Sequence, residues 1–151
     1  MVSREEVAEL AKCYSEEGYL CSESVLLAVS VCLGVKSDLI PKIATGFGAG
    51  VGRCGYVCGA VSGGVIALGL KFGRTEPLKQ SKPPHWFAQE LVERFTHEFG
   101  RATCRELTDC DLSTDAGHVK YTEEKVWNTK CRRFIEEAAA QAFDIISENS
   151  T

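Results

Sequence analysis

Residues 46–73 read GFGAGVGRCGYVCGAVSGGVIALGLKFG and hold ten of the chain's fourteen glycines. The two halves of this stretch make opposite demands on the backbone. From Gly46 to Gly52, glycine alternates with other residues, which favours irregular chain of close approach over a regular element. From about Gly55 to Phe72 the run is apolar on every side and predicts a helix buried inside a globular fold. Its uncharged part, Gly55 to Leu70, is shorter than the ~18–20 residues that span a bilayer and is flanked by Arg53 and Lys71, so no membrane span is expected.

Working outward, the remaining segments also read as helices. Ser3 and Glu6 form a capping-box pattern before an amphipathic helix over 4–17, with Val7, Leu10, Ala11 and Tyr14 on one face. Ser22 to Leu33 predicts a buried helix with Ser22 as N-cap and Gly34 as its stop. Ser37 and Asp38 open a short third helix that tolerates Pro41 in its first turn and ends at Gly46. Thr75 to Pro84 carries three of the four prolines and reads as a loop; a helix follows from about His85 to Phe99. Thr103 and Glu106 make a second capping pattern with Cys104 at the first helical position, then Thr108 to Gly117 reads as a polar loop. A last helix starts after Thr122 and runs through Trp127, Cys131 and Phe134 towards Ile145. With no β alternation and no repeat, the expectation is one all-α domain over 1–151, a bundle of about six helices around the glycine-rich central helix.

A chain of 151 residues can close a hydrophobic core without staples, so its eight cysteines are free for other work. The start MVSREEVAELAKC is acidic where a signal peptide is apolar, which points to a reducing cytoplasm. There, clustered cysteines read as catalytic or metal-binding. Seventeen basic against 21 acidic residues give a formal charge of −4, which excludes an electrostatic footprint for nucleic acid. The expected partners are a redox protein or a small-molecule electron donor or acceptor, with a second copy of the chain also retained. Gly50-Val-Gly-Arg-Cys-Gly55 matches GxGxxG but lacks the strand that a dinucleotide fingerprint requires. His85, His97 and His118 have no ligand spacing.

Cys58 is the most informative cysteine. On a continuous helix Gly55, Gly59 and Ser62 would surround its sulfur with small groups, and Gly63 would follow a turn on, opening it to a cofactor, a second thiol or a substrate. The same glycines would equally serve close helix packing around a small buried hydrophobe. Cys54, four residues earlier, would share its face at ~6 Å. Cys104 and Cys21 sit at helix entries, where free N–H groups favour the thiolate, and Cys131 is flanked by Lys130, Arg132 and Arg133.

Several stretches together resemble one family. They are Gly18-Tyr-Leu-Cys21-Ser-Glu-Ser-Val25, Ile43-Ala-Thr-Gly-Phe-Gly-Ala-Gly50, Cys58-Gly-Ala-Val-Ser-Gly63, Gly69-Leu-Lys-Phe-Gly73, Phe99-Gly-Arg-Ala-Thr-Cys104-Arg-Glu-Leu107 and Cys131. The chain resembles the C_GCAxxG_C_C family of redox-active proteins over almost its whole length, although it reads Cys58-Gly59-Ala60 where the family name reads Gly-Cys-Ala. The resemblance implies a redox site at Cys21, Cys58, Cys104 and Cys131, and leaves Cys13, Cys32, Cys54 and Cys110 as additional. Four thiolates can hold an iron–sulfur cluster, with Gly55, Gly59, Ser62 and Gly63 admitting it. Two other chemistries stay open. A thiol pair can cycle between dithiol and disulfide without metal, or the cysteines can hold zinc or fill the core of a non-catalytic module. With no CxxCH, covalent haem is not expected.

Overall fold

The computed structural model describes residues 1–77, 79 and 81–150. It is 68% helical with eight α-helices and no strand among the described residues, which makes the protein all-α. Helix α1 (Arg4–Glu16) begins as its sequence requires: the Ser3 hydroxyl accepts the Glu6 N–H at 3.2 Å while the Glu6 carboxylate accepts the Ser3 N–H at 2.7 Å. Its buried face, Val7, Ala11 and Ser15, lies against α8 (Arg132–Glu148). Arg4 reinforces that contact by reaching Glu137 and Asp144 of α8 at 3.2 and 2.9 Å.

Helix α2 (Cys21–Leu33) starts two residues earlier than the Ser22 cap predicts. Glu23 accepts the Leu20 N–H at 2.9 Å and fixes Leu20 as the N-cap, which leaves Ser22 buried and donating to the Ala44 carbonyl at 2.7 Å. Gly34, at φ +69°, stops the helix as expected. The third helix begins later than predicted, as a 3₁₀ turn over Lys42–Phe47 behind Pro41, and passes through Gly46.

The chain then does something that the glycine pattern only hinted at. Ala49, Gly50, Val51, Gly52 and Arg53 all have positive φ, between 56° and 71°, so the segment that includes the short α3 (Gly48–Val51) winds left-handed. For L-residues such a turn costs about 1–2 kcal/mol each, and three of the five carry side chains. At Gly50 that geometry admits nothing larger, because a Cβ would fall 2.6 Å from the Tyr56 nitrogen and 2.8 Å from Cys104 Cβ.

The apolar helix α4 is Gly59–Phe72, four residues shorter at its start than predicted. Gly55 is left-handed at φ +75°, and residues 56–58 are extended against 102–104: Cys58 N–H donates to Ala102 O at 2.8 Å and Cys104 N–H to Tyr56 O at 2.6 Å. Peptides committed to that pairing cannot join a helix, so Cys54 and Cys58 do not share a helical face. Helix α4 packs against α2, α5 (Trp86–Phe99) and α8. Gly63 lets it lie directly on the Ser22 backbone, and Gly64 faces Leu91, whose Cδ2 would be 2.6 Å from an added Cβ. The expected loop 75–84 includes Leu78 and Gln80, which lie outside the described residues; its other residues are neither helix nor strand.

Helix α6 (Cys104–Thr108) is capped by Thr103, whose hydroxyl accepts the Glu106 N–H at 3.3 Å. The region read as a loop up to Gly117 instead turns into α7 (Asp115–Glu123), capped by Thr114, which accepts the Gly117 N–H at 3.0 Å. Lys125, at φ +53°, breaks the path, and a π-helical turn, Trp127–Cys131, leads into α8. The core is built from Val7, Val25, Leu26, Leu68, Leu91, Phe95, Ile135 and Ile145, all fully buried. Each contributes ~1.5–3 kcal/mol of apolar burial.

Candidate functional site: a four-cysteine cavity

Four separate elements end at one place. A cavity of about 230 Å³ is lined by Cys21, Cys58, Cys104 and Cys131, the four cysteines of the family pattern. Cys21 is the first residue of α2, Cys58 precedes α4, Cys104 is the first residue of α6, and Cys131 closes the π-helical turn. The pairing of 56–58 with 102–104 brings Cys58 and Cys104 to the same wall, where both are buried. Apolar side chains complete the lining, including Leu107, Leu112, Trp127 and Phe134.

Of the small residues expected beside Cys58, Gly59 lines the cavity, whereas Gly55, Ser62 and Gly63 do not. Gly59 is indispensable in another way: a methyl there would collide with Cys21 Sγ and approach the Phe47 carbonyl at 2.9 Å. Gly63 serves packing against Ser22, and Gly55 supplies the left-handed step beside Arg105.

The electrostatics run opposite to the expected thiolate-friendly setting. Burial pushes all four thiols up: Cys58 well above the ordinary value of 9.0, Cys104 to about 11, Cys131 to about 12, and Cys21 upward as well. Cys21 also raises the other three, and Cys104 raises Cys58 and Cys131, since a thiolate at one sulfur repels charge at the next. The N–H groups of Ala49 and Ser22 at the Cys21 sulfur, and of Ala60 at the Cys58 sulfur, oppose this without overcoming it. The two arginines that flank Cys104 in sequence are engaged elsewhere. Arg105 pairs with Asp111 at 3.1 Å and Arg101 with Glu106 at 3.7 Å. Helix-entry dipoles and basic neighbours therefore lose to desolvation.

The sequence reading missed Tyr121, Arg53 and His118, which also line the cavity. Tyr121 and His118 lie on α7, and the available signal was Thr114 three residues ahead of Gly117. Cys110 is buried beside Cys104 in a small core with Leu112 and Val126 but does not line the cavity. Cys13 and Cys54 are exposed, and Cys32 is half-buried away from the site.

Among the described residues, no three His, Cys, Asp or Glu side chains are grouped to hold a single metal ion. Nor, among the described residues, is any helix long and apolar enough to cross a membrane.

Fold and site together define an all-α protein with four thiols facing a shared apolar cavity. The chain belongs to the C_GCAxxG_C_C family: residues 19–145 match its family model, whose description is "Putative redox-active protein (C_GCAxxG_C_C)". That membership supports a generic redox role. No curated protein and no solved structure matches the chain.

Proposed function

We propose that this protein transfers electrons through an iron–sulfur cluster held by Cys21, Cys58, Cys104 and Cys131. The observation that carries the reading is that these four cysteines, and no others among the described residues, line one apolar cavity. The donor set supports the reading, since four thiolates are the usual complement of such a cluster. When bound, the group supplies one-electron exchange without making or breaking a bond in the partner.

The chain's own residues do the rest. Cys21, Cys58, Cys104 and Cys131 would hold the group as thiolates, since a coordinating thiol is deprotonated, and its positive charge would offset their mutual repulsion. Ala49, Ser22 and Ala60 direct N–H groups at the resulting sulfur charge, and Leu107, Leu112, Trp127 and Phe134 exclude water around it. Direct dithiol exchange is less well served, since an attacking thiol must be largely thiolate and burial holds these four protonated. The partners are an electron donor and an electron acceptor, protein or small molecule.

Anaerobic purification tests this. Visible absorption with roughly stoichiometric iron and sulfide is the expected result. Colourless protein carrying zinc would overturn it. Metal-free protein that reversibly loses two thiols on mild oxidation would replace the cluster with disulfide chemistry.

A further inference from the structure

Tyr121 stands outside the cysteine pattern, yet its hydroxyl oxygen lies 3.3 Å from Cys131 Sγ. Its ring lines the cavity and packs against the small core of Cys104, Cys110, Leu112 and Val126. Helix α7 holds it there by close docking. Gly117, one turn before Tyr121, meets the Asp111 backbone where a Cβ would collide, and Lys120 donates to the Asp109 carbonyl at 2.6 Å and to its carboxylate at 3.0 Å.

We propose that Tyr121 tunes the site: its hydroxyl donates to the Cys131 sulfur and raises the reduction potential of the redox couple to which that sulfur belongs. The direction of the bond follows from chemistry. A phenol and a thiol can each donate, but a metal-bound sulfur has no proton and can only accept. A tyrosine phenol carries its proton at neutral pH, so the hydroxyl 3.3 Å from the sulfur is available as the donor. A donor at sulfur is bound more tightly when the sulfur is more electron-rich, which is the reduced state, and so the bond favours reduction. The other donors at these sulfurs are backbone N–H groups at Cys21 and Cys58 and the Thr108 hydroxyl at Cys104. That hydroxyl is shared with the Cys104 carbonyl, to which it also donates at 2.7 Å. Tyr121 is therefore a positioning residue that a single oxygen atom can switch off.

The inference rests on the cysteine-ligated reading for its main test, which is an anaerobic redox titration of Tyr121→Phe. Iron and sulfide should stay, and the reduced-to-oxidised ratio at fixed potential should fall about fivefold, or ~40 mV for a one-electron couple at ~59 mV per tenfold. Tyr56→Phe, at an exposed tyrosine, should leave the midpoint in place. Fluorotyrosine incorporation, which makes a stronger donor, should raise the midpoint of the natural chain and not that of Tyr121→Phe. An unmoved midpoint in Tyr121→Phe with iron intact overturns the proposal. If that variant sheds its iron, an unmoved midpoint in the fluorotyrosine protein overturns it. The two failures are separable. Natural protein without iron and sulfide removes the cluster, and Tyr121 is then read in the Cys131 dithiol–disulfide couple equilibrated against glutathione. There a lower potential in Tyr121→Phe supports the role; an equal one, or no such couple, overturns it.

Discussion

Gly59 is the residue on which the cavity turns. It opens α4, lines the cavity, and leaves room that the Cys21 sulfur occupies. Gly59→Ala should therefore displace that sulfur while leaving the helices in place: iron and sulfide bound per chain should fall severalfold with the far-ultraviolet circular dichroism unchanged. Full loading of the alanine variant would show that Cys21 is not a ligand. The cysteines themselves divide the same way. Cys58→Ser should abolish the metal or redox behaviour, whereas Cys13→Ser, at an exposed position on α1, should leave it intact. Equal losses from the two would mean that the wrong four had been chosen.

At the scale of elements, Ala49–Arg53 is the longest left-handed run among the described residues, and Ala49 and Arg53 both line the cavity. Strain of this kind persists only where surrounding structure over-determines it and is concentrated at functional sites. Here the tie is visible, since the carbonyls of Ala49 and Gly50 accept N–H bonds from Gly55 and Tyr56 at 3.4 and 2.9 Å, and Ala49 N–H reaches the Cys21 sulfur. Val51 is 40% exposed, so its β-branched side chain gains little in return for φ +64°. Val51→Gly should relieve about 1–2 kcal/mol of strain against ~0.4–1 kcal/mol of added unfolded-state entropy. A net gain near 1 kcal/mol raises Tm by roughly 2–4 °C for a domain of this size. A lower Tm would show that the valine side chain contributes contacts worth more than its strain.

For the whole molecule, the four buried thiols link folding to pH. Without metal, the folded state holds Cys104 and Cys131 protonated up to about 11 and about 12, against 9.0 for an ordinary thiol. Their contribution is fully present below that ordinary value and is lost as pH rises through the raised ones. Denaturant midpoints of metal-free protein should therefore fall above about pH 9, with the Cys104 share on the order of 2 kcal/mol. Cys104→Ser should flatten the profile, and an unchanged slope would place that thiol in water. Metal-loaded protein should lack this dependence, because its sulfurs have already lost their protons.

Much of this protein is local and therefore readable in the chain. Ser3 with Glu6, Gly34, and Thr103 with Glu106 set helix ends through bonds to residues three or four away, and apolar spacing marked α1, α4, α5 and α8 as helices. The family pattern named the four cysteines. The start of α4 was not readable, because Gly55 to Cys58 are helix-compatible until residues 102–104 claim their peptide groups from some 45 residues away. Nor was the protonation of the thiols, since a helix entry favours thiolate until tertiary burial removes the water around it. Tyr121 belongs to the same class: nothing near it in sequence predicts a sulfur, and only the docking of α7 through Gly117 brings its hydroxyl to Cys131. Local bonding and periodicity thus determined most of the helices and the family pattern the reactive atoms, whereas long-range packing decided their spacing, solvation and charge.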